Sequence, residues 1–180
     1  MLPLVRLRSR ASPADELSEA QAGGQLASGA RLGALGTRDV LELPFSVSAY
    51  TAALIEAQQA RTLGALLNND AALRVTTSSG HMYENFRVRG FDINAADIAI
   101  EGLFGLAPVG HVPLEFVERA ELLKGPNAAF GGMPPDGGVG GLINLVPKRA
   151  GDADLTRVEL SWQQRSQLGT GLDVARRFGA

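Results

Sequence analysis

The hydrophobic pattern changes period several times along the chain, and each change marks an element. From Met1 to about Gly36, small, charged and apolar residues follow one another without a period, as in ASPADELSEAQAGGQLASGA, which predicts a mobile N-terminal arm. In LPFSVSAYT, Phe45, Val47 and Ala49 alternate with other residues, the two-residue period of a strand. Thr51 is placed to cap a helix over AALIEAQQA, where Leu54, Ile55 and Gln58 recur at helical spacing. A second short helix is expected from Thr62 through LGALLNN, with Leu63, Leu66 and Leu67 turned inward.

After Asn68, Asn69 and Asp70 the period falls to two. NFRVRGF sets Phe86 and Val88 on one face, with Arg87 and Arg89 on the other. Cations alternating with core residues must face water or find buried partners. ADIAIEG, FVERAELLKG and GLINLVPKR supply three more short strands between turn signals. The middle of the chain therefore reads as a small α+β domain, a mixed β-sheet with short helices over residues 37–150. In the tail, LTRVELSWQQ puts Thr156, Val158, Leu160 and Trp162 on one side and Arg157, Glu159, Ser161 and Gln163 on the other. GLDVARRFG repeats the alternation through Leu172, Val174 and Phe178, interrupted by Arg176. Two such strands over residues 151–180 fit the first hairpin of an outer-membrane β-barrel, or a solvent-facing sheet.

Composition narrows the function classes. Hydrophobic residues make up 45% and charged residues 20% of the 180, which is ordinary globular usage and long enough for a real core. A net charge of -2 lacks the basic stripe that phosphate-backbone binding requires, so no nucleic-acid partner is expected. The absence of cysteine removes disulfides, thiolate nucleophiles and Cys-based metal sites. No 18-residue apolar run exists, so no transmembrane helix is encoded. The opening MLPLVRLRSR has no apolar h-region and is not read as a signal peptide; an exported form would need a start upstream.

The glycine-rich stretch ELLKGPNAAFGGMPPDGGVGGLINLVPKR raises the question of a phosphate loop. A P-loop needs a Lys after its last glycine, whereas Lys124 precedes Gly125, and Gly131 is followed by Gly132 and Met133. A dinucleotide fingerprint starting at Gly138 would require Gly or Ala at residue 143, which is Ile143, and Pro147 forbids the helix that should follow. No nucleophile elbow, no H-E-x-x-H helix and no histidine cluster appears, with His81 and His111 in separate loops, so no enzyme activity is expected.

The ordered set PFSVSAYTAALIEAQQARTLGALL, FRVRGF, EGL at Glu101 to Leu103, VERAELLKGPNAAFGG and PPDGGVGGLINLVPKR closely resembles the plug domain of TonB-dependent outer-membrane receptors, nearest the siderophore-receptor branch. The resemblance covers about residues 33–149 and continues into the hairpin near 154–179. It implies a plug seated in a 22-stranded barrel, of which this chain would carry only the first hairpin. Two strands with open edges cannot cross a bilayer alone, because each unpaired backbone group in hydrocarbon costs several kcal/mol. The chain is thus expected to be part of a longer receptor or a truncated gene product.

By the same resemblance, the plug gates active import of ferric siderophores across the outer membrane, energised by TonB and its inner-membrane complex, with iron present only as cargo and no cofactor. Loops at about 77–83, 92–96 and 104–111 would face outward and contact the chelate, with His81, Tyr83, Asn94, Phe104 and His111 as candidate contacts. Arg89 and Arg119 match positions expected to pair with barrel carboxylates. Gly90, Gly102, Gly125, Pro126, Gly137 and Gly138 would shape tight turns. No convincing TonB box precedes Gly36. The competing reading is a free-standing periplasmic ligand-binding or adaptor module that kept the plug fold.

Overall fold

The computed structural model describes residues 18–31, 36–78, 80–126, 128, 132–151, 153–163 and 167–178. The chain divides into two compact units at Pro147 and Lys148, slightly before the expected boundary at residue 150. The first unit opens with four short strands, β1 (Ala20–Gln21), β2 (Leu26–Ala27), β3 (Gly29–Arg31) and β4 (Thr37–Asp39). Strand β5 (Ser46–Thr51) leads into α1 (Ala52–Gln58) and α2 (Leu63–Leu67). Five short strands follow: β6 (Leu73–Val75), β7 (Phe86–Val88), β8 (Phe91–Ile93), β9 (Ala99–Ile100) and β10 (Leu103–Phe104). The unit closes with its two longest strands, β11 (Val117–Lys124) and β12 (Gly141–Pro147).

Seven strands form one mixed sheet in the order β1-β2-β5-β11-β12-β9-β10, antiparallel except where β12 runs parallel to β9. VERAELLK and GLINLVP occupy the centre because they are buried along almost their whole length, as a strand covered on both faces must be. One face carries Tyr50, Ala120, Leu122, Ile143 and Leu145 into a single cluster with Leu54, Ile55, Leu63, Leu66 and Leu67 of the helices. The three-stranded sheet β6-β7-β8 adds Leu73, Phe86, Val88 and Ile93 to that cluster. The alternate residues of the central strands behave differently: Ala99, Leu123 and Leu142 form a small second cluster, beside the buried polar side chains of Arg119, Glu121 and Asn144.

Two expectations are corrected. Ser18 to Arg31 is not a loose arm, since β1 and β2 extend the sheet beyond β5 and β3 pairs with β4. The sequence shows no period there because the strands are two or three residues long and held by backbone and polar contacts instead of an apolar stripe; residues 1–17 and 32–35 lie outside the described residues. Thr51 does occupy the N-cap of α1, but its side chain makes no capping bond. Its hydroxyl donates to the carbonyl of Gly24 at 2.5 Å instead. Thr62 does cap α2, accepting from the amide of Ala65 at 3.1 Å.

Two tight hairpins turn on a charged residue followed by glycine. Arg89 and Gly90 join β7 to β8 with φ of 51° and 94°, and Glu101 and Gly102 join β9 to β10 with 53° and 79°. Positive φ at both central positions is the type I′ geometry that matches strand twist, and glycine adopts it without a Cβ penalty.

The second unit is one hairpin of β13 (Leu155–Gln163) and β14 (Gln167–Ala175). Strand β14 starts before the GLDVARRFG segment and stops at Ala175, leaving Phe178 beyond it. Val158 faces Leu172 and Trp162 faces Leu168 across the pair.

Candidate functional site

The segment 76–85 and the loop ending at His111 meet. The Nε2 of His111 donates to the carbonyl of His81 at 2.7 Å, and its Nδ1 lies 3.4 Å from Oε2 of Glu84. The rings of His81 and Tyr83 pack edge to face with centroids 5.0 Å apart. Glu84 is buried, and its carboxylate also accepts the amides of Leu63 and Gly64 at 3.2 and 3.0 Å. A Cβ at residue 64 would lie 2.9 Å from Glu84 Oε1, so glycine there admits the carboxylate. The structure thus brings His81, Tyr83 and His111 into one group, set on the start of α2 through Glu84.

Asn94 belongs to a neighbouring loop tied in by Asn85. The Asn85 amide donates to Thr77 Oγ1 at 3.3 Å, and its side-chain oxygen accepts the Ala95 amide at 3.0 Å. Asn94 caps a 3-10 turn with Asp97 in a capping box and donates to Asp136 at 3.1 Å. Buried Asp97 takes the Asp136 amide at 2.8 Å, which pins the glycine-rich connection between β11 and β12. Gly138 packs there, since an added Cβ would lie 3.1 Å from Asp97 Oδ2; Gly125 and Gly137 turn with φ of 116° and 74°, and Pro126 follows Gly125 directly. Phe104 is apart from the histidine group, half-buried with Leu43, Phe45 and Val47 in the second cluster.

The two arginines sit in unlike places. Arg89 is exposed at the β7–β8 turn, while its neighbour Arg87 is exposed and paired across the hairpin with Asp92 at 2.6 and 3.2 Å. Arg119 is only 4% exposed and donates to the hydroxyl and carbonyl of Ser18 at 2.6 and 2.9 Å. Beside it, fully buried Glu121 accepts the Arg31 amide at 2.8 Å and Asn144 Nδ2 at 2.9 Å. Burial pushes the Glu121 carboxyl up to about 7, against the pull of Asn144, the Arg31 amide and both guanidiniums. Asn144 in turn accepts the Gly102 amide at 2.8 Å, and Arg31 pairs with Glu101.

On the other face, Lys124 lies 2.6 Å from Asp70, which also accepts from Ser48 at 2.7 Å. Burial works against ionisation of Asp70, but Lys124, the Ala72 amide and Ser48 outweigh it and hold the carboxyl below its usual range. Burial, then the nearby Asp70, pushes Tyr50 up to about 12. These internal acids escaped the sequence reading. The signal was present for one: in VERAELLK, Arg119 and Glu121 stand two apart, a charge pair on one face of an otherwise apolar strand.

The arrangement presents aromatic and imidazole groups beside exposed Met82 and Val109, suited to contact with a bulky ligand. Among the described residues no group of three or more potential metal ligands occurs. The family profile described as TonB-dependent Receptor Plug Domain matches residues 39–140. The chain is 46% identical over 157 residues to the ferrichrome receptor FcuA of Yersinia enterocolitica, covering 87% of this chain and 21% of that protein. It is 27% identical over 158 residues to the ferrichrome outer membrane transporter/phage receptor of Escherichia coli strain K12, covering 81% of this chain and 20% of that protein. Among solved structures, BauA, the ferric preacinetobactin receptor from Acinetobacter baumannii, superposes with a TM-score of 0.85 at 38% identity, over 89% of this chain and 24% of that one. The chain therefore spans about a fifth of the length of these curated relatives. With a profile match across more than half of its residues, this chain belongs to the TonB-dependent receptor plug domain family.

Proposed function

We propose that this chain is the gate and ligand-recognition part of an outer-membrane receptor that imports ferric siderophores by TonB-driven active transport. The observation that carries the reading is the 46% identity to a ferrichrome receptor across nearly all of the chain. Its support is local as well. His81, Tyr83 and His111 converge from two loops, and His111 reaches Glu84 at the start of α2, so a chelate resting on the group bears on α2 and the core. No covalent chemistry is involved: ligand binding shifts a population in which a segment on the N-terminal side becomes available to TonB, and energy from the inner membrane then displaces part of the plug.

The test is a chimera in which this chain replaces the corresponding plug of FcuA. Radioactive ferrichrome uptake that requires TonB is the expected result, with uptake falling when His81, Tyr83 and His111 are all changed to Ala. A chimera that passes iron without TonB, as an open pore would, overturns the gating role; undiminished uptake in the triple variant overturns the contact assignment.

A further inference from the structure

The face of the sheet opposite the helices poses a problem that a plug fold alone does not explain. Arg119, Glu121 and Asn144 are 4%, 0% and 0% exposed there, and burying a charge is unfavourable unless it is hydrogen-bonded and paired. Their partners come from a single stretch of chain and the turn beside it. Arg119 holds Ser18 through its hydroxyl and carbonyl, and Glu121 holds the amide of Arg31. The Arg31 side chain closes the far side on Glu101, and Asn144 joins Glu121 to the Gly102 amide. Between those points the stretch buries only small apolar side chains, Ala27 and Ala30. The helices on the other face are anchored by Leu54, Ile55, Leu63, Leu66 and Leu67. One side of the sheet is therefore fastened by apolar area, and the other by the short pairings of β2 with β5 and β3 with β4 together with a few charge-assisted hydrogen bonds.

We propose that Arg119 and Glu121 are a clasp that seats the segment Ser18–Arg31 on the sheet and releases it as a unit while the apolar core stays folded. The clasp stands on this geometry alone; its use as the first element to move in transport rests on the function proposed above. The fit is tight around it, since a Cβ at Gly29 would lie 2.9 Å from that of Ser18, whose hydroxyl donates to the Gly29 carbonyl at 3.0 Å. Among the described residues Arg119 Nε is buried without a hydrogen-bond partner, so on this face the guanidinium is held through Ser18.

The clasp is also sensitive to protons. The charged groups bearing on Glu121 are Arg31 of β3 and Arg119 of β11, with neutral Asn144 on β12; Glu101 lies beyond Arg31, and Glu118 acts on Arg119. With its pKa raised from 4.5 to about 7 when buried, Glu121 favours the seated segment while protonated. The hold is complete below about 4.5, weakens as pH rises towards about 7, and is constant beyond that.

Hydrogen exchange of the 180-residue chain at pH 5.5 and 8.0, corrected for intrinsic rates, tests the idea, with the β12 amides of Ile143 and Leu145 as the reference. Protection of Gly29–Arg31 relative to β12 is expected to fall about 30-fold between pH 5.5 and pH 8.0, the part of the titration from 4.5 to about 7 that lies in this window, one pKa unit being tenfold. The variant E121Q should lose that pH dependence, a readout that a merely structural role would not move. R119Q should expose the Ser18 end at both pH values with β12 unchanged, and it serves as the deciding variant where E121Q does not fold. Parallel loss of protection in Gly29–Arg31 and β12, or an R119Q chain that protects the segment as well as wild type, overturns the clasp; an E121Q chain that titrates like wild type overturns its proton dependence.

Discussion

The plug unit and the hairpin are written in the same two-residue alternation, yet one hides its apolar residues and the other displays them. In β11 and β12, Leu122, Ile143 and Leu145 are fully buried under the helices. In β13 and β14, Val158, Leu160, Trp162, Leu168 and Leu172 are 68–80% exposed. Alternation alone therefore specifies a strand and its two faces, while what covers the apolar face comes from elsewhere in the protein. The plug unit carries its own cover in α1, α2 and β6-β7-β8. The hairpin sets Val158, Leu160 and Trp162 on one face and Arg157, Glu159 and Ser161 on the other, an alternation that a lipid-facing strand pair also uses, and a lone pair of strands is marginal in water.

This contrast is broken most severely from inside the plug. Phe86→Ala removes a fully buried ring from the main cluster and is expected to cost about 3–5 kcal/mol, read by urea unfolding followed by far-UV circular dichroism. Asp70→Asn comes next, at about 3 kcal/mol, because it leaves Lys124, 11% exposed, without its charge partner. The same acid sets a pH limit. Its carboxyl is held below the usual range, so its contribution is present above an ordinary aspartate pKa and is lost as pH falls through the depressed value. Acid titration of wild type against the Asn variant checks this: the wild-type advantage should shrink below about pH 4. Glu121 acts in the opposite sense, so the plug is expected to lose stability both in strong acid and as pH climbs towards about 7.

A smaller change sharpens the contrast at a contact between layers. Gly140 lies where an added Cβ would approach Phe91 Cβ to 2.5 Å and the Val88 carbonyl to 3.1 Å, neither of which is the free end of a side chain. Gly140→Ala is expected to destabilise the plug by about 1–3 kcal/mol, as overpacking does, with the midpoint of urea unfolding as the measure.

How far the sequence could be read follows from the kind of contact each part uses. Strands β5 and β13 and helix α1 were legible because their side chains repeat with a period, β11 and β12 because turn signals bound their apolar runs, and α2 because it carries the cap Thr62. The segment Ser18–Arg31 was not, because Glu121 and Arg119 hold its backbone, and backbone atoms leave no mark in composition. Among the candidate contacts, loop positions placed His81, Tyr83, Asn94, Phe104 and His111 together on paper. Only His81, Tyr83 and His111 converge, because His111 pairs with Glu84 and donates to the carbonyl of His81, thirty residues before it in the chain. Phe104 went elsewhere because an aromatic ring at a sheet edge packs on whatever apolar surface lies beside it, here Phe45 and Val47.

The smallest effect is the most discriminating one. Trp162 is the single tryptophan of the chain and is 80% exposed on the hairpin, so its fluorescence reports on the second unit alone. Trp162→Ser is expected to change the unfolding free energy of the plug by no more than about 0.5 kcal/mol, as for a surface substitution away from any cap, core or buried pair. In the wild-type chain the emission should be solvent-like from the outset and should not follow the circular dichroism transition, since two compact units need not unfold together. Coincident transitions by the two probes would mean that the hairpin's apolar face is covered in solution, and the lipid-facing assignment of that face would then fail.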